Sequence, residues 1–244
     1  RPPDPVVVFV ADASGSMAES GGGAGSKWQA ASDAINTLVA RFAAGVRFGL
    51  MIFPDSVGFN ACAPGRMVVP VGDATADAIR AALNARSPSG GTPTSQSLPH
   101  AGVGLQAAGG GGAKFVILVT DGEPTCDPSE PTPTIDEIRN LAWSGYATYV
   151  VGLPGSELGA DALGRMAVAG TTARAAPPPY YQVTDTDLLA NTLAGIIDTL
   201  SSCVFPITPI GGAEGFAGWV QTVRFAGEPV PQSTDHTNGW DVDS

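Results

Sequence analysis

Two stretches of this sequence carry an apolar run into an acid. In "VVVFVADASGSM" the run from Val6 to Ala11 stops at Asp12, and Ser14 and Ser16 follow at every second position. In "VILVTDGEP" a second run closes on Asp121. Asp12, Ser14 and Ser16 offer only oxygen. In a tight turn their alternate side chains point inward while Ala13 and Gly15 point away. No His or Cys lies nearby in sequence, so the donors suit a hard divalent cation (magnesium first, calcium or manganese next) and not zinc. If the two runs are neighbouring strands, their carboxylates meet on one edge. At about 4 Å and an effective dielectric near 20, two such charges repel by roughly 4 kcal/mol. A counterion, a shared proton or room to separate is then required. The plainer reading is that Ser14, Ser16 and Asp121 only cap the turns that follow.

Catalytic chemistry has little support, and the expectation is a chain that is not an enzyme. Ser14 as a nucleophile needs a base, and nothing in the sequence points one at it. "ASGSM" is not the Gly-x-Ser-x-Gly elbow. Asp12 as a phosphoryl acceptor wants a second acid two residues on, where Ser14 stands. No Gly-Lys-Ser/Thr phosphate loop exists, and the Gly-rich runs 21–25 and 109–112 read as linkers. His100 and His236 read as structural or surface residues.

The elements that must position these oxygens follow from periodicity. Residues 5–11, 46–53, 66–71, 114–120, 147–153 and 180–183 read as strands. The first and fourth are continuously apolar, as in strands buried on both faces. The third follows the second closely enough to pair antiparallel. Trp28, Ala31, Ile35, Leu38 and Phe42 recur at helical spacing. Asp73 is a candidate cap for a helix to about Asn84. The segment 87–98 reads as a loop leading into a helix, and 127–134 as a loop before a short helix at 135–144. Residues 157–169 read as helical, and Thr184 with Asp187 resembles a capping box for a helix carrying Leu189, Leu193, Ile196, Ile197 and Leu200. Alternating strand and helix predicts an α/β fold: a Rossmann-like, doubly wound, mainly parallel six-stranded sheet with one antiparallel edge strand and helices on both faces. In such sheets ligands bind outside the carboxyl ends of the strands, where strand order reverses. Residues 1–202 form this domain. Residues 203–244 are a small β-rich extension in which "WVQTVRFAGEPV" reads as a hairpin around Gly227.

The chain has 244 residues and a formal charge of −11, with 23 acidic against 12 basic side chains. That balance argues against nucleic acid and anionic membranes as partners, because phosphate binding relies on Lys and Arg. No apolar run is long enough to span a bilayer. The first residue is Arg1, so either a leader was removed or the sequence is a fragment. The three cysteines, Cys62, Cys126 and Cys203, make no zinc pattern. They are either buried thiols or, since all lie in loops or at a helix end, disulfide formers in a secreted protein.

"DASGSM" resembles the Asp-x-Ser-x-Ser signature of the von Willebrand factor type A domain, the fold of integrin inserted domains. That family's metal-ion-dependent adhesion site adds a Thr from a middle loop and an Asp from the fourth strand. "GGTPTSQSL" supplies Thr92 and "VTDGEP" supplies Asp121, in order and in the expected context over residues 5–202. The resemblance implies a divalent cation held by Asp12, Ser14, Ser16, Thr92 and Asp121, with an open position filled by an Asp or Glu of a protein ligand. It implies an extracellular or cell-surface adhesion module, with the loops Ser20 to Ser26 and Asp55 to Pro64 completing the interface. Other members suggest one alternative, an intracellular assembly subunit docking an ATPase; a third reading is a structural shell or filament component stabilised by metal. Cys62 follows the second strand and Cys126 follows Asp121 by five residues, so both should emerge beside the metal. A Cys62–Cys126 disulfide is expected, leaving Cys203 free or paired outside this sequence.

Overall fold

The computed structural model describes residues 3–21, 25–55, 60–185 and 188–201, together with the backbone of 223–225 and 228–230. The chain divides into two compact units, Arg1–Ser201 and Ser202–Ser244. In the first, strands β1 (Val6–Asp12), β2 (Arg47–Phe53), β3 (Arg66–Gly72), β4 (Lys114–Thr120), β5 (Tyr146–Gly152) and β6 (Tyr181–Gln182) form one sheet. Its order is β3-β2-β1-β4-β5-β6. β1 pairs parallel with both β2 and β4, and only β3 runs antiparallel, against β2. Strand order therefore reverses between β1, which ends in Asp12, and β4, which Asp121 follows directly.

Every residue of β1 is buried. Its alternation divides the core in two. Val7, Phe9 and Ala11 pack under α1 (Lys27–Phe42), α2 (Ala76–Asn84) and α6 (Leu189–Ser201) through Trp28, Ile35, Leu38, Ile79, Leu83 and Leu193. Val6, Val8 and Val10 pack under α3 (Thr94–Ala107), α4 (Thr132–Trp143) and α5 (Ala160–Ala169) through Leu98, Leu105, Ile138, Leu163 and Met166. A strand covered on both faces needs apolar residues at every position, which is why β1 and β4 show no polar alternation. Each fully buried Val or Leu contributes roughly 1.5–3 kcal/mol, and that repetition fixes the register of the central strands.

Three local expectations are corrected. Helix α3 begins at Thr94, inside the segment 87–98 read as a loop. Asp73 does not cap α2: Thr75 holds the N-cap position, its hydroxyl donating to Phe48 O at 3.0 Å rather than capping the helix, and Asp73 pairs with Arg47 at 3.5 Å. Helix α4 begins at Thr132, inside the segment read as a loop, with Pro131 at its N-cap and Pro133 in its first turn. Prolines there sacrifice no helical hydrogen bond, since the first amides of a helix have no partner within it. The supposed capping box before α6 includes Asp187, which lies outside the described residues, as does Cys203.

In the second unit, β7 (Val223–Phe225) and β8 (Glu228–Val230) pair antiparallel with Phe225 opposite Glu228, as the hairpin reading expects. Among the described residues no helix is long and apolar enough to cross a membrane.

Candidate metal centre

The end of β1 delivers Asp12 to the carboxyl edge, fully buried, and a single turn of 3-10 helix, Gly15–Ala18, follows. Asp12 Oδ1 accepts the backbone N–H of Ser14 at 2.8 Å, which folds the chain back so that Ser14 and Ser16 share one side. Their hydroxyls lie 3.2 Å apart. Ser16 Oγ then donates to Asp121 Oδ1 at 2.9 Å. Asp12, Ser14, Ser16 and Asp121 are thus joined by hydrogen bonds across the gap between β1 and β4, the first link through the Ser14 amide and the others between side-chain oxygens. Asp12, Ser14 and Asp121 are buried, while Ser16 is exposed, so the cluster opens to solvent on one side.

The loop that carries Thr92 is held against the β1 turn by its backbone, and among the described residues no hydrogen bond joins the Thr92 side chain to Asp12, Ser14, Ser16 or Asp121. Gly15 N–H donates to Gly90 O at 3.0 Å and Ser89 N–H to Ala13 O at 2.8 Å, pinning the loop before α3 against the β1 turn. The Thr92 N–H donates to Thr125 Oγ1 at 3.2 Å, and Thr125 N–H returns a bond to Thr92 O at the same distance. Cys62 and Cys126 are joined in a disulfide whose alpha carbons are 5.6 Å apart. It lies directly over this loop: a Cβ on Gly91 would come within 2.7 Å of Cys126 Sγ and 3.1 Å of Cys62 Sγ. Glycine is required there because the disulfide fills the space a side chain would need.

Two contacts were not expected from the sequence. Thr120 Oγ1 donates to Asp12 Oδ2 at 2.6 Å. Lys27, the first residue of α1, is buried and places Nζ 2.9 Å from Asp121 Oδ2 and 3.1 Å from Glu19 Oε2. The available signals were the Thr in "VTDG" and a Lys opening a helix, where the helix dipole disfavours a cation.

The electrostatics follow from burial. Taking Asp12 out of water raises its pKa from 3.8 to about 6, the bonds from Thr120 and Ser14 pull it back only in part, and the charge on Asp121 adds to the rise. For Lys27 burial works to lower the pKa, but its bonds to Asp121 and Glu19 outweigh this and leave it raised. His100 is held by Gly65 O at 2.7 Å from Nδ1, well within ordinary structural use.

Among the described residues no group of three or more His, Cys, Asp and Glu side chains forms a metal cage. The oxygens here are of another kind: two carboxylates with two neutral hydroxyls between them. A buried carboxylate whose charged form is disfavoured, joined to hard neutral donors and open to solvent on one side, fits a hard divalent ion and its waters.

Comparisons with known proteins agree with this architecture. The structure is similar to BatB, a conserved hypothetical protein from Bacteroides thetaiotaomicron, with a TM-score of 0.61 and 17% identity, over 80% of this chain and 98% of that one. It is similar to the pilus adhesin SpaC from Lactobacillus rhamnosus GG, with a TM-score of 0.63 and 19% identity, over 81% of this chain and 30% of that one. It is also similar to a von Willebrand factor type A protein from Catenulispora acidiphila, with a TM-score of 0.63 and 20% identity, over 81% and 43% of the two chains. The chain thus spans less than half the length of the last two. At these identities the likeness concerns the fold. No curated protein sequence is similar enough to count as a match. The family model for the von Willebrand factor type A domain matches residues 7–194. That span takes in both acid-bearing strands and every residue of the oxygen cluster, and the chain belongs to the von Willebrand factor type A domain family.

Proposed function

We propose that this chain is a divalent-cation-dependent protein-binding module that works outside the cell or at its surface, and that it is not an enzyme. The observation that carries the reading is the hydrogen-bonded run that joins the Asp12 carboxylate through the Ser14 amide, and the Ser14 and Ser16 hydroxyls, to the Asp121 carboxylate. Asp12, Ser14, Ser16, Thr92 and Asp121 would hold the ion, magnesium in the first instance, calcium or manganese otherwise. A hard cation bound there supplies a Lewis-acidic point that a carboxylate of a partner can complete. Ser16 on the open side leaves room for that approach. Asp12 anchors the cluster, held by Thr120 and the Ser14 amide. The loops around Ser20–Ser26 and Asp55–Pro64 would supply the remaining interface and its selectivity.

The disulfide supports an oxidising compartment, where such bonds persist. It weighs against an intracellular subunit that docks an ATPase. A similar fold in a pilus adhesin is consistent with surface work, although only 30% of that longer protein is covered.

The test is capture of a partner from the native surface, with and without chelator, by wild-type protein and by Asp12→Ala. Binding should need the divalent ion, tolerate moderate salt, and fail when the partner's acid is changed to its amide. A partner held equally well in chelator, or by the Asp12→Ala protein, would show that the metal edge is not the working surface.

A further inference from the structure

Lys27 is an unusual residue for its place. The first turn of a helix carries the positive end of the dipole, and a buried ammonium is tolerated only when paired. Ser26 already supplies the ordinary N-cap by accepting the Gln29 N–H at 3.2 Å, so Lys27 is not needed to start α1. The site holds it tightly all the same. Its N–H donates to Glu19 O at 2.9 Å, its Nζ bonds the Glu19 and Asp121 carboxylates, and a side chain at position 155, where Gly155 stands, would come within 3.1 Å of Nζ. Asp121 therefore has one oxygen on Ser16 and the other on Lys27.

We propose that Lys27 is a built-in counter-cation of the metal edge. It is a positioning residue that holds Asp121 in place whether or not an ion is present, lowers the affinity for that ion, and raises the preference for an anionic partner. This rests on the reading that the edge takes a divalent cation. The charges decide the direction. Asp12 and Asp121 together balance a divalent ion and leave the loaded edge neutral; an incoming carboxylate would then make it negative. With Lys27 included, the loaded edge is positive and the same carboxylate brings it to neutrality. Glu19, with its side chain 69% exposed, is screened by water and offsets Lys27 only in part. Lys27 thus acts against the ion and in favour of the ligand, a pair of opposite signs that a packing role would not produce.

The test is Mn2+ binding by titration calorimetry at low salt, with acetate as the carboxylate probe on the loaded protein, for wild type, Lys27→Met and Lys27→Arg. Lys27→Met removes the charge and keeps most of the chain length. It should melt lower in chelator, bind Mn2+ about tenfold or more tightly, and respond less to acetate. Lys27→Arg retains the charge and should bind Mn2+ much as wild type does. Unchanged or weaker Mn2+ binding by Lys27→Met would overturn the assignment. Should Lys27→Met fail to fold, Glu19→Gln at the rim reads the same charge in reverse. It leaves Lys27 less neutralised, so Mn2+ should bind several-fold more weakly, and equal or tighter binding overturns the assignment. If wild type takes up no Mn2+ but Lys27→Met does, the metal-dependent function falls while Lys27 stands as the cation that replaces the ion. If neither binds, both fall.

Discussion

Thr120 Oγ1 donates to Asp12 Oδ2 at 2.6 Å, joining the last residues of two adjacent parallel strands beneath the oxygen cluster. This bond fixes the carboxylate from below while the Ser14 amide fixes it from the side. Thr120→Val keeps the shape and removes the donor. A buried acceptor left unsatisfied costs about 1–3 kcal/mol. Chemical denaturation of the two proteins should show that loss in chelator, together with weaker divalent binding. No change in either would mean that water replaces the hydroxyl.

Divalent ions should stabilise the native chain. At a hundredfold excess over the dissociation constant the gain is about 2.7 kcal/mol. Thermal melts in Mg2+, Ca2+, Mn2+ and chelator measure it directly, and Asp12→Ala should melt identically in all four. Equal melting temperatures for the wild type would count against the metal reading.

Asp12 also gives the metal-free protein a pH signature. Its folded pKa is raised, from 3.8 to about 6, so folding favours its proton. The associated stabilisation is fully present below 3.8 and is lost as pH rises through about 6. That loss is about 3 kcal/mol for a shift of this size. In chelator, Asp12→Asn should therefore gain on wild type as pH rises from 4 to 7. Parallel stability profiles for the two proteins would contradict the burial argument.

The disulfide closes a loop with a sequence separation of 64 residues. The chain-entropy model values such a closure at roughly 4 kcal/mol. Replacing both cysteines by serine should lower stability by about that much. It should also weaken divalent binding, because the bridge lies over the loop that carries Thr92. Retention of full ion affinity in the double variant would separate the disulfide from the site.

The middle of the sheet was legible because strands buried on both faces leave an unbroken apolar run, which β1 and β4 share. Four members of the cluster are legible because Asp12, Ser14 and Ser16 occupy one turn and Asp121 directly follows a matching strand; among the described residues, the Thr92 side chain makes no hydrogen bond to them. Lys27 and Thr120 were missed for a common reason: each acts on a residue about a hundred positions away, and local patterns carry no trace of such a pairing. The start of α4 is hard to read because Pro131 and Pro133 give its first turn the look of a loop, although a helix's first turn accepts proline. Asp73 looked like a cap, yet a charge partner in Arg47 claimed it instead.

The adjacency of β1 and β4 also has a kinetic side. The bond from Thr120 to Asp12 spans 108 residues, and that from Ser16 to Asp121 spans 105. Contacts of such separation are entropically expensive to close and tend to form late. The oxygens at the edge are then scattered along the chain until the central strands have paired, so an ion has no assembled site to grip before that step. A ligand that recognises only the finished arrangement stabilises the native side of the barrier and leaves the climb unchanged. Divalent ions should accordingly slow unfolding while refolding proceeds at the same rate with or without them.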